Sequence, residues 1–304
     1  MEETRYDPRV IQAALRVEES LRAAYNVGPQ DMVRNPRRLA RTEGITATDP
    51  VAAAMETLLA RLGRGDLICN LSEIVRRQLT YTMDVLLPYI PSQTLADAYT
   101  PETAACWTTL VLACITLDSV AWFAKVRRAT IRAPRMLVPD ATQAASAAAS
   151  ADAWRILQYL LRHEPIDVGT AVELAAENSA IRALDVLLRS PTSRRALAVT
   201  AMDAAIHMYQ VRAIAYIMTL GVFDEADYWA YFISAIELAE PGDARIGPIA
   251  RQLAHGFDST DVVVTLELYP LLQRVQAYLP ELAARLLTQG PVEMQPNPAG
   301  IMHV

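Results

Sequence analysis

Residues able to carry acid–base, metal or covalent chemistry are few in this sequence and widely spaced. The four histidines, His163, His207, His255 and His303, are too scattered to form a local metal-binding box. Three of them fall near the ends of predicted helices, where an imidazole needs no special role. The three cysteines, Cys69, Cys106 and Cys114, make no Cys-x-x-Cys pair, and buried thiols in a reducing compartment are the expectation. No His-Glu-x-x-His, Gly-x-Ser-x-Gly or glycine-rich phosphate loop is present. The expectation is therefore no catalytic residue, no metal ligand and no cofactor. An enzyme without a familiar motif is the alternative, and its mark would be a cleft holding a shifted carboxylate pair.

What remains is the chemistry of contact. Lys125, Arg127, Arg128, Arg132 and Arg135 form a basic run with no acid between Asp118 and Asp140. Such a run suits a phosphate backbone or an acidic protein surface. Its neighbourhood lacks aromatic residues for base stacking, so a solvated loop is favoured and nucleic acid is the less favoured partner. The stretch Tyr228-Trp229-Ala230-Tyr231-Phe232 carries more large rings than one helix face can turn inward. Exposed Tyr and Trp dominate interface energies. The candidate partner-binding residues are thus Trp229, Tyr228 and Tyr231, with Arg127, Arg128 and Arg132 as the electrostatic group. Arg64-Gly-Asp66 reads as a turn, and Asn70-Leu-Ser72 as a chance match to a glycosylation acceptor.

The elements that must position these residues are helices. Apolar residues make up 52% of the 304 residues and charged ones 20%, with 11 Gly against 18 Pro, which points to a nearly all-α chain punctuated by prolines. A net charge of −6 argues against a dedicated nucleic-acid binder. The first residues, Met1-Glu-Glu-Thr-Arg5, form no apolar segment of the signal-peptide kind, and the longest apolar run, Trp107–Ala124, is interrupted by Asp118. A soluble intracellular protein with no membrane attachment is expected.

The organising stretch is Thr170–Ser190, TAVELAAENSAIRALDVLLRS. Thr170 and Glu173 have the spacing of a capping box, Asn178-Ser179 breaks the helix, and Ile181, Leu184, Leu187 and Leu188 recur at helical spacing. The pattern returns with Thr200 and Asp203 on Thr170 and Glu173, and Ile217-Met218 on Leu187-Leu188. An earlier copy places Ala148 opposite Ala175 and Ala205. A period near thirty residues made of helix pairs predicts a stack of repeats.

These residues resemble an ankyrin repeat, with Thr170-Ala-Val-Glu-Leu-Ala-Ala176 on the family's Thr-Pro-Leu-His-x-Ala-Ala opening and Leu187-Leu188 on its closing Leu-Leu pair. The family's Pro and His are absent from every copy, and its terminal Gly survives only as Gly221. Pro165–Thr170 resembles a shortened form of the family's hairpin loop. The resemblance covers residues 142–222, and 101–256 in degraded form. It implies a stack that binds protein partners and no catalytic activity.

The expected architecture is therefore all-α: an ankyrin-like α-solenoid of about four or five helix pairs over 101–256. Non-repeating helical regions would flank it at 1–100 and 257–289, with an extended tail at 290–304. Asp7-Pro8, Asp49-Pro50 and Pro280 mark helix starts, and Gly63 a helix end. Leu71 to Leu87 reads as one amphipathic segment. A second helix closes near Lys125, ahead of a long loop. The function expected is that of a non-enzymatic interaction or scaffold protein, in a narrower form a structural subunit of a large assembly such as a virus particle. The alternative use of the basic run is as a nucleic-acid-associated structural protein.

Overall fold

A computed structural model of the chain describes residues 6–25, 49–62, 67–132, 139–189, 193–238, 240, 243–258 and 268–288. Arg64-Gly-Asp66, Gly63, Arg135, His303 and the 290–304 tail lie outside the described residues. All regular structure among the described residues is helical, with no strand. Contacts divide the chain at the extended Pro165 segment into one unit, Met1–Ile166, and a second, Asp167–Val304. The boundary falls inside the 101–256 stretch.

The first unit holds α1 (Pro8–Tyr25), α2 (Asp49–Arg61), α3 (Leu67–Arg76), α4 (Thr80–Leu86), α5 (Ser92–Asp97), α6 (Ala104–Thr116), α7 (Val120–Arg132), α8 (Ala141–Ser150) and α9 (Trp154–His163). Asp7 opens α1 by accepting the Arg9 amide at 2.8 Å. Its own amide donates to Asn70 Oδ1 at 2.8 Å, tying α1 to α3. Asn70 is 1% exposed, so the glycosylation match is a core contact. Helices on both sides of residue 100 pack together: α3 on α6, α5 on α7, then α6 on α8 and α7 on α9.

The second unit holds α10 (Val168–Glu177), α11 (Ile181–Leu187), α12 (Arg194–His207), α13 (Val211–Met218), α14 (Glu225–Leu238), α15 (Ile246–Leu253), α16 (Tyr269–Gln276) and α17 (Pro280–Thr288). Packing again skips one helix: α10 meets α12, α12 meets α14, and α11 and α13 meet α13 and α15 in turn. Ala171, Ala175 and Ala176 on α10 and Ala198, Ala201 and Ala205 on α12 are all fully buried. Side chains this small let two helix backbones approach closely.

One connector recurs. Gln78, Asp118, Asp152, Ser179 and Tyr209 all have positive φ, between 48° and 57°, and each sits between two helices. In every case its amide donates to the carbonyl three residues back, and the next amide to the carbonyl five back. Ser179 to Ala176 and Ala180 to Ala175 span 3.1 and 2.8 Å, and Tyr209 to Ile206 and Gln210 to Ala205 span 3.1 and 2.7 Å. This is a Schellman closure, which normally uses glycine. The carbonyls accepting the longer bond belong to Ile74, Cys114, Ala148, Ala175 and Ala205, each at most 1% exposed. The three alanines aligned from sequence thus hold one structural position, shared by Ile74 and Cys114. The segment read as one helix over Leu71–Leu87 is broken at Gln78, because this turn closes α3 and starts α4.

Two expected caps are corrected. Asp167, not Thr170, caps α10; its carboxylate accepts the Thr170 amide at 3.3 Å and the Thr170 hydroxyl at 2.8 Å. Those two bonds hold the Asp167 carboxyl below its ordinary range. Thr200 lies inside α12, where its hydroxyl bonds back to the Ala196 carbonyl at 3.3 Å. Helix 12 begins six residues before Thr200, at Arg194, so the Thr200–Asp203 pair caps nothing.

Candidate protein-binding surface

The aromatic group is carried by α14, which starts on a reciprocal pair of bonds. Asp224 Oδ1 accepts the Asp227 amide at 2.9 Å, and Asp227 Oδ2 accepts the Asp224 amide at 3.0 Å. From there helical spacing turns Tyr228, Phe232 and Ala235 into the core. Tyr228 is 7% exposed and donates its hydroxyl to the Met218 carbonyl at 3.3 Å. A Cβ at Gly256 would lie 2.4 Å from the Tyr228 ring, so Gly256 is the residue that leaves the ring its space. Tyr228 is therefore a packing residue, a correction to its place among the partner-binding candidates.

Trp229 and Tyr231 flank this buried row and are half-buried. The Trp229 ring lies parallel to Phe232 at 5.6 Å and meets the edge of Phe257 at 5.2 Å. Phe223 sits edge-on to Tyr231 at 5.3 Å. Burial, with Asp203 and Asp227 adding to it, pushes the Tyr231 hydroxyl up to about 12. Trp229 thus combines a fixed ring orientation with a solvent-facing part, which is what an interface anchor needs.

The basic run is not a loop: α7 continues through it to Arg132. Helical geometry then separates the charges. Lys125 donates its ammonium to the Leu87 carbonyl and lies 5.8 Å from the Trp122 ring centroid. Burial, and secondarily Arg128, lowers its basicity. Arg127 pairs with Glu164 and donates to the Pro139 carbonyl at 2.9 Å. With its side chain only 15% exposed, Arg127 clamps α7 to α9 and leaves the candidate group. Arg128 is exposed, and Arg132 is the last residue of the helix. Ile131, absent from the sequence candidates, is 78% exposed one turn from Arg128. Its signal was legible as an apolar residue between arginines at helical spacing, but only once the helix is known to run that far.

A 270 Å³ groove between α3 and α6 is lined by Val75, Thr109, Leu112, Ala113, Thr116 and Leu117, among others. The most strongly raised carboxylate lies elsewhere. Asp84 is pushed up to about 6 by burial and then by the charge of Glu18. Glu18 is 1% exposed and accepts from the Thr82 amide and hydroxyl at 2.8 and 2.9 Å. Neither carboxylate lines this groove or the one between α1 and α2.

Of the histidines, His163 and His207 end α9 and α12, and His255 lies in a short 3₁₀ turn; all three are exposed. Among the described residues, no three His, Cys, Asp or Glu side chains gather as a metal site. No described helix is long and apolar enough to cross a membrane; Trp107–Ala124 is divided between α6 and α7 at Asp118. No family model, curated protein or solved structure matches the chain.

Proposed function

We propose that this chain is a non-enzymatic interaction or scaffold protein, built from ankyrin-like helix pairs stacked as a solenoid within each unit. The observation that carries the reading is the shared connector: helix pairs closed by one turn geometry, with alternate helices in contact. Side chains at the turns run along such a row. Asp118 accepts the Arg155 and Ile156 amides at 3.1 Å, Ser179 donates to Gln210 at 2.8 Å, and Tyr209 lies under the Arg245 guanidinium at 4.2 Å. Each contact links one pair's turn to the next pair. Stacked pairs offer extended surface instead of one enclosed chemical pocket.

On this reading Trp229, with Tyr231 beside it, anchors a protein partner, and Arg128 steers a charged one toward α7. The narrower form is a structural subunit of a large intracellular assembly, such as a virus particle. Proximity labelling and crosslinking mass spectrometry with the whole chain test it, comparing the native sequence with Trp229→Ala and Arg128→Glu. Trp229→Ala should weaken capture of the crosslinked partner by at least about 2 kcal/mol, and Arg128→Glu should slow association and alter its salt dependence. Unchanged capture by both variants, each shown folded by circular dichroism, sinks the assignment.

A further inference from the structure

The chain holds 28 Lys and Arg residues, and Lys125 alone among them is a lysine. The difference is chemical before it is electrostatic. An arginine guanidinium stays protonated and offers no nucleophilic lone pair, whereas a lysine ε-amine accepts acetyl groups, methyl groups and ubiquitin. Charge is therefore spread over the chain with almost no amine chemistry attached. The ion pairs Arg22–Glu18, Arg127–Glu164 and Arg195–Asp227 all use guanidinium.

The single lysine is engaged. Lys125 crosses from α7 to the 3₁₀ turn Leu87–Tyr89 that follows α4, where its ammonium donates to the Leu87 carbonyl. Trp122, one turn earlier and 2% exposed, donates its indole N–H to the Met83 carbonyl at 3.0 Å. Together they cover the carbonyl end of a short helix, a place that favours a cation. Burial lowers the basicity of Lys125, and its place between α7 and the turn, with the hydrogen bond to Leu87, fixes where the amine points.

We propose that the folded chain is a refractory acceptor for isopeptide-forming modifiers of the ubiquitin class, so that tagging of lysine does not govern its lifetime in a cytosol. Conjugation requires a neutral ε-amine to attack the modifier's thioester carbonyl. The C–N bond forms, the C–S bond breaks, and the thiol leaves with the proton the amine gives up. Lys125 is half-buried, and with its amine turned onto the Leu87 carbonyl between α7 and the turn it is poorly placed to meet a bulky thioester, while the arginines cannot take its place.

The test compares the full chain, Lys125→Arg, and a variant carrying Arg162→Lys, Arg182→Lys, Arg212→Lys and Arg251→Lys. These four arginines are exposed on helices, and the changes keep the charge. Each protein is incubated in a reticulocyte lysate with added ubiquitin, with and without a proteasome inhibitor, and lysine-linked conjugates are identified by peptide mapping. The expected result is no lysine conjugate on the native chain, behaviour indistinguishable from Lys125→Arg, and a conjugate ladder with an inhibitor-sensitive loss of half-life on the four-lysine variant. A native chain conjugated at Lys125 as readily as the variant overturns the proposal, and so does a variant that stays unconjugated. An amine-reactive ester supplies an independent reading. In the native fold Lys125 should acylate at least about tenfold more slowly than the introduced lysines, and at the same rate in denaturant, since reaction must wait for local opening. Equal native rates reject the protection.

Discussion

The recurring turn makes a sharp claim at Gln78. Its φ of 57° is left-handed, a conformation that costs an L-residue with a Cβ roughly 1–2 kcal/mol. Gln78→Gly removes that strain, but a glycine also gains freedom in the unfolded chain, worth about 0.4–1 kcal/mol against the fold. The side chain of Gln78 is exposed, and the closure bonds come from backbone: its amide to Val75 at 2.8 Å and the Leu79 amide to Ile74 at 3.2 Å. Nothing else of size is lost. Gln78→Gly should therefore stabilise by about 0.5–1 kcal/mol, whereas Gln78→Val, β-branched at positive φ, should destabilise by at least about 1 kcal/mol. Urea unfolding followed by far-ultraviolet circular dichroism measures both, read as midpoint shifts at unchanged slope. A destabilising glycine, or a neutral valine, would refute the closure at this turn and weaken the shared register.

Three further outcomes follow from the packing. Ala175 is fully buried where α10 meets α12, so Ala175→Leu should cost about 1–3 kcal/mol in the same unfolding experiment. Asp84 has a folded pKa of about 6, raised from 3.8; stability from its protonated form is complete below about pH 4 and is lost as pH rises through 6. Asp84→Asn should accordingly stabilise the fold at pH 7.5 by at most about 3 kcal/mol, less for its partial exposure, and make no difference at pH 4. Arg127→Ala should lower the thermal midpoint by stranding Glu164, whereas exposed Arg128→Ala should stay within about 0.5 kcal/mol of the parent.

The sequence by itself determined the helical character of the chain, several helix starts and the register of its small buried residues. Asp-Pro at 7–8 and 49–50, the proline at 280 and the spacing of Ala148, Ala175 and Ala205 are local signals, written in residue type and separation, and the structure places helices accordingly. Tertiary packing decided what those signals leave open. Gln, Asp, Ser and Tyr entered the left-handed turn in place of glycine because paired helices and two closed carbonyls outweigh the local strain. Asp167 displaced Thr170 as the cap, since the chain leaves its extended segment three residues earlier than the repeat pattern implied. The roles of charged and aromatic side chains were the least legible. Lys125, Arg127 and Arg128 are near neighbours in sequence, yet one covers a helix end, one clamps α9 and one meets solvent. Whether a side chain meets a carbonyl, a carboxylate or water depends on which distant segment folds against it, and residue type and spacing carry no record of that.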